Sequence, residues 1–160
     1  TGQASPTSNK GFKTKSTPDG LIEKAANPMS LALAAGGTFV ARSFSGNAVH
    51  LKDTIKAAIT HKGFSLVDAF QPCVTFNKLN TFKWYFDRLY NINEQEGYNA
   101  QDVEQAYKAS LVWGNKIPYG IFYQKARDTY GSNLPQLKGT ALIKRKVQVR
   151  NIDQLTKEFA

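Results

Sequence analysis

Between residues 38 and 70 the chain switches from a strand-like to a helix-like hydrophobic period and back, and this switch limits the folds open to it. Thr38-Phe39-Val40-Ala41-Arg42 is a short β-type run, and Ser43–Asn47 reads as a turn. Ala48–Lys62 then places Leu51, Ile55, Ala58 and Ile59 at helical spacing, with Gly63 as a natural stop. Phe64–Phe70, FSLVDAF, reads as a buried strand. Strand, helix and strand within about thirty residues make a βαβ unit, which implies parallel strands and a right-handed crossover. The expected fold class is α/β.

Other elements flank this unit. Residues 1–27, rich in Gly, Ser, Thr, Pro and Lys, read as an irregular but ordered loop. Asn27-Pro28 looks like a helix start, with Asn as cap and Pro in the first turn, and Gly36-Gly37 ends the helix. Further helices are expected over Asn80–Tyr90, capped by Asn80 or Thr81, and over Asn99–Trp113, ended by Gly114. From Lys116 onward the pattern loosens. Gly120–Tyr123 is expected as a short strand, Ile152–Phe159 as a short amphipathic helix, and the tail as an extension packed on the α/β body or on a partner.

Composition removes several classes of function. The longest apolar stretch, Met29–Ala35, is far too short to span a bilayer, so no membrane partner is expected. The opening residues carry no apolar signal-peptide core, and the single cysteine, Cys73, rules out an internal disulfide. A reducing cytoplasm is the natural reading. The chain opens on Thr1-Gly2-Gln3 without a Met, which suggests a fragment.

Lys and Arg total 21 against 12 acidic residues, a net charge of +9. Lys138, Lys144, Arg145, Lys146 and Arg150 lie in a stretch free of acids, and Lys10, Lys13 and Lys15 precede the first acid, Asp19. This charge is either a solvated surface or a dock for phosphates or an acidic protein. A basic α/β module that binds nucleic acid is the alternative function, although the 138–150 cluster lacks interleaved aromatics.

Self-contained catalytic motifs are missing from the sequence: there is no Walker loop, no GxGxxG and no GxSxG. His50 and His61 return to nearly one helix face, but three turns apart, too far for one ion. Both read as structural, His61 through the dipole at a helix C-terminus. Cys73 follows the second strand directly, in Gln71-Pro72-Cys73, and ligands of parallel sheets gather beyond the carboxyl ends of strands. It is either a core cysteine or a metal ligand, with the backbone N–H groups of the following turn free to reach its sulfur.

Four blocks in order carry a resemblance: TGQASPTS, TKSTPDG, NPMSLALAAGGTFVARSFSG and HKGFSLVDAFQPCVTFN. Together they are similar to the thiamine-diphosphate-binding beta subunit of 2-oxoacid:ferredoxin oxidoreductases, over nearly all of residues 1–80 and more weakly through IPYGIFY and the tail. The resemblance implies half of a three-layer thiamine-diphosphate-binding fold over residues 1–79, with parallel strands. Residues 80–160 would form an irregular, α-rich C-terminal extension. It further implies coenzyme A-dependent oxidative decarboxylation of a 2-oxoacid, pyruvate or 2-oxoglutarate, with electrons leaving through a [4Fe-4S] cluster to ferredoxin. Cys73 would be one cluster ligand, and Thr1, Gly2 and Gln3 would line the edge of the thiamine diphosphate site. The Mg2+ site and most other ligands would lie upstream of Thr1. An alpha subunit is the implied partner, in a heterodimer. Lys13, Lys15 and Arg42 are candidates to meet carboxylates or phosphates, or are plain surface charges. Phe82, Trp84, Tyr85 and Trp113 suit either an interface or the core.

Overall fold

Ser65–Phe70 (β2) lies parallel to Phe39–Phe44 (β1) from the pair Phe39 and Ser65 to the pair Phe44 and Phe70, joined by the helix Ala48–Thr60 (α2). The βαβ unit thus forms where the periods placed it, in a computed structural model that describes residues 2–137, 139, 142–144 and 152–158. The helix ends at Thr60 with His61 as its cap, earlier than Gly63; Gly63 itself has φ +132°, and a Cβ there would strike Thr38 Oγ1, so only glycine allows the chain to turn into β2 here.

The face that α2 presents to the sheet differs from the expected one. His50 and Thr54 turn inward with Leu51, Ala57 and Ala58 at the boundary, while Val49, Ile55 and Ile59 are exposed, Ile59 at 77%. The reason lies on β1. Ser43 is completely buried, and its hydroxyl meets His50 Nδ1 at 2.8 Å; a buried hydroxyl needs such a partner.

The sheet has four strands in the order β2-β1-β4-β3, with Leu89–Asn91 as β3 and Ile117–Gln124 as β4. β4 runs antiparallel to β1 and parallel to β3, so the sheet is mixed, with two of its three pairings parallel. The sequence suggested only a short strand at Gly120–Tyr123; the real strand is longer and central, with Ile117 and Phe122 fully buried. It carries a bulge: Val40 pairs Tyr123 and Ala41 pairs Ile121, leaving Phe122 without a partner on β1. Asn93 serves as the other edge there, accepting from Ile121 N and donating to Ile121 O, both at 2.7 Å. A Cβ on Gly120 would lie 2.4 Å from Asn93 Oδ1, so the residue before Ile121 must be glycine for that contact to form.

Alternation along β1 sorts the layers. Phe39, Ala41 and Ser43 face α2, while Val40, Arg42 and Phe44 face the other side. On that second side lie Pro28–Ala34 (α1) and Val103–Ser110 (α4), whose Met29, Leu33 and Ala106 close the core with Val40, Ile92, Phe122 and Tyr123. Asn27 caps α1, accepting from Met29 N and Ser30 N at 3.1 Å, and its amide donates to Ser110 O at 2.7 Å, tying the two helices together. The helix expected over Asn80–Tyr90 is confined to Phe82–Phe86 (α3), capped by Thr81, because the chain must extend again to enter β3. Residues 128–160 form a separate compact unit that includes Tyr130–Asn133 (α5) and Ile152–Glu158 (α6). Among the described residues, no helix is long and apolar enough to cross a membrane.

Candidate functional site

At the carboxyl end of β2 the chain leaves the sheet through Gln71 and Pro72 and folds Cys73 into a tight turn. Asn77 N donates to Cys73 O at 3.0 Å, closing it, and Phe76 N points at Cys73 Sγ at 3.4 Å. The Asn77 side chain holds the exit, accepting from Leu79 N at 2.9 Å and Asn80 N at 3.0 Å. Cys73 is exposed, and the N–H groups of Phe76 and then Thr75 draw its thiol below the ordinary value, outweighing the opposing effect of partial desolvation. In protein free of iron, alkylation of Cys73 by iodoacetamide should therefore reach half its limiting rate below the pH of about 8.5 typical of a free cysteine. A midpoint at or above that of glutathione in the same buffer would remove the case for a thiolate-favouring turn.

Gly2 lies against this turn. It has φ +75°, and a Cβ built on it would sit 3.5 Å from the Phe76 ring. Gln3 follows it as an exposed residue, and Thr1 lies outside the described residues. The structure thus brings the start of the chain and the Cys73 turn together.

The turn also forms one wall of a cavity of about 530 Å³, which Arg42, Asp68, Tyr85, Asn27 and Trp113 border as well. In the sequence Arg42 is open to reading as a surface charge, but it is 3% exposed: it sits on β1 opposite Asp68 on β2, with Nε donating to Asp68 Oδ2 at 3.0 Å. Burial pulls the guanidinium below its ordinary value, and Asp68 pulls it back. Rings of Phe70 and Phe122 lie at 4.9 and 5.5 Å from its central carbon. Lys13 and Lys15, by contrast, are exposed residues of the opening loop. Tyr85 is half-buried, packed on Phe44 and Phe70, and Trp84 is half-buried beside it; Phe82 and Trp113 are exposed. Sequence reasoning misses Asp68, although it is the only acid in an apolar strand whose parallel neighbour carries the only base.

Neither histidine joins the site. His50 serves Ser43, and burial lowers its pKa against the pull of Asp53 and Glu94. His61 lies 2.9 Å from Thr38 Oγ1, with its pKa lowered by burial, so a hydrogen bond rather than a cationic helix-end interaction explains its place. Among the described residues there is no group of three or more His, Cys, Asp or Glu that would hold a metal. Cys73 is suited to be one soft thiolate donor among several. Of the basic stretch, Lys144 is described; Lys138, Arg145, Lys146 and Arg150 lie outside the described residues.

Comparison with known proteins accounts for almost the whole first unit. Residues 1–69 match the family described as thiamine pyrophosphate enzyme, C-terminal TPP binding domain. Residues 73–139 match the family that covers the C-terminal region of the pyruvate ferredoxin oxidoreductase beta subunit, beginning at Cys73 itself. The chain belongs to the beta-subunit family of 2-oxoacid:ferredoxin oxidoreductases. It is 44% identical to the 2-oxoacid:ferredoxin oxidoreductase subunit beta of a Sulfolobus species, over 77% of this chain and 43% of that one. To subunit beta of 2-oxoacid:ferredoxin oxidoreductase 1 from Aeropyrum pernix it is 43% identical, over 84% and 46%. The chain therefore spans about half the length of the relatives it matches. A solved 2-oxoglutarate:ferredoxin oxidoreductase from Magnetococcus marinus, with 2-oxoglutarate, coenzyme A and succinyl-CoA bound, superposes with a TM-score of 0.78 at 30% identity, over 98% of this chain and 52% of that one. The α/β reading of the sequence and the family resemblance both hold.

Proposed function

We propose that the chain is the C-terminal part of a beta subunit that works with an alpha subunit in the coenzyme A-dependent oxidative decarboxylation of a 2-oxoacid, pyruvate or 2-oxoglutarate, and passes the electrons to ferredoxin. The Cys73 turn carries this reading: an exposed thiol, at the carboxyl end of a sheet strand, in a loop whose N–H groups favour its thiolate. Thiolate is the form that binds iron, and N–H donors to sulfur tune a cluster's potential. Cys73 is thus assigned as one ligand of a [4Fe-4S] cluster. When bound, thiamine diphosphate with Mg2+ would supply the electron sink for decarboxylation, and the cluster the one-electron relay.

The chain's own residues position and shield. Thr1, Gly2 and Gln3 would line the edge of the thiamine diphosphate site, where the lack of a side chain at Gly2 lets the backbone approach the Phe76 ring and the Cys73 turn. Residues 1–79 would end the thiamine-diphosphate-binding domain and 80–160 form its extension, which returns β4 to the shared sheet. The 138–150 basic stretch would meet the acidic face of ferredoxin, in a reducing cytoplasm. The nucleic-acid alternative has no counterpart in either family match.

The test uses the full-length protein with the partner that copurifies with it. Ferredoxin reduction should require a 2-oxoacid, coenzyme A and thiamine diphosphate together. A preparation that contains iron and binds thiamine diphosphate, yet reduces ferredoxin with neither pyruvate nor 2-oxoglutarate, would refute the assignment.

A further inference from the structure

The outward face of α1 and α4 is apolar in a way that the fold does not use. Each helix already buries one face: Met29 and Leu33 of α1, and Ala106 of α4, enter the core. Yet α1 carries only one polar residue, Ser30, and its Leu31 is 62% exposed. A helix that is apolar nearly all round is ordinarily covered on both sides. On α4, Val103 and Tyr107, one turn apart, are exposed as well. Between the two helices runs a groove of about 380 Å³, with Leu33 and Ala34 on one wall and Val103, Glu104, Tyr107 and Lys108 on the other. It shares no residue with the cavity beside the Cys73 turn. Glu104 and Lys108 rim the groove four residues apart. Glutamate and lysine at that spacing commonly pair along a helix, but these two do not: among the described residues, ion pairs join only Arg42 to Asp68, Lys52 to Asp53 and Lys83 to Asp87. One acid and one base therefore stand unmatched at the edge of an apolar groove.

We propose that this face docks a second copy of the chain, with α4 antiparallel to α4 of the other copy about a two-fold axis. The charges select this occupant. A two-fold rotation reverses the direction of one helix against the other, so Glu104 of each copy meets Lys108 of the other, and both pairs arise from one sequence. Tyr107, close to the axis, enters the opposite groove against Ala34 and Val103, where an aromatic ring brings a large contact area. An unrelated partner would need the same two charges in reverse order at the same spacing. Exposed apolar surface with a polar rim is also the ordinary mark of a contact between proteins. The inference concerns how copies of the chain meet and stands whether or not Cys73 binds iron.

Sedimentation equilibrium of the full-length protein, together with any subunit that copurifies with it, tests the proposal. Wild-type particles should contain two copies of this chain. Glu104→Lys or Lys108→Glu alone sets like charges against each other at both ends of the contact, and each should weaken the association of copies about tenfold or more. Both positions are exposed, so an unchanged far-ultraviolet spectrum should show that the fold is intact. The exchange Glu104→Lys/Lys108→Glu should restore association, because a two-fold contact is complementary again once both charges are swapped. A contact with any other partner would stay broken in that double variant. Cys73→Ser should leave the association of copies unchanged, which separates this result from the reading of the cluster. One copy per wild-type particle, wild-type association in both single reversals, or a double reversal that associates no better than the singles would each overturn the proposal.

Discussion

Arg42→Leu is expected to destabilise the protein by about 3–5 kcal/mol, because it strands the Asp68 carboxylate between strands with no cation to meet it. The loss should appear as a lower urea midpoint with an unchanged slope. In the double variant Arg42→Leu/Asp68→Leu most of it should return, since well-packed apolar pairs often replace buried ion pairs at little cost. This comparison separates the penalty of an orphaned charge from the net worth of the pair. A loss below about 1 kcal/mol in the single variant would mean that water reaches Asp68 freely through the cavity. The ring contacts of Arg42 with Phe70 and Phe122 add to the expected loss, since leucine cannot stack on both.

Cys73→Ser, made in the full-length protein, is expected to abolish or strongly perturb a [4Fe-4S] cluster while leaving the fold intact. Cys73 is exposed, and its turn is held by Asn77 through backbone and amide contacts that serine preserves. A serine oxygen is a harder and poorer ligand for iron than a thiolate, so cluster content or potential should change. Ferredoxin reduction should fall on the order of tenfold or more, with some decarboxylation surviving toward an artificial acceptor. Iron and sulfide analysis with low-temperature EPR of the reduced protein decides the matter. Wild-type iron and an unaltered signal would leave Cys73 with no ligand role.

What the sequence revealed followed local periodicity. The βαβ unit was legible because a run of period two, a run of period 3.6 and another strand follow each other with glycine between them. The inner face of α2 was not, since Ile55 and Ile59 outweigh Thr54 in any hydrophobic count, and only the buried Ser43 hydroxyl explains why His50 and Thr54 turn inward. β4 was hidden by Pro118 and Gly120, residues that argue against a central strand. Its place becomes intelligible with the bulge at Phe122 and the Asn93 side chain, neither of which leaves a local signal. Cys73 stood out because of its position after a strand, and four blocks in order pointed to the family. Arg42 reads in the sequence either as a cation that could meet a carboxylate or phosphate or as a plain surface charge. Its pairing with Asp68 depends on register between strands far apart in sequence.

The placing of β4 also constrains how the chain can be made. Phe39 pairs with Ser65 on one side and with Gln124 on the other, so β1 gains its second neighbour only after the ribosome has delivered the late strand. Until then the entirely buried run Phe39–Phe44 presents an open, sticky edge to whatever is nearby. The distance in sequence between these partners makes their pairing the long-range step in closing the sheet.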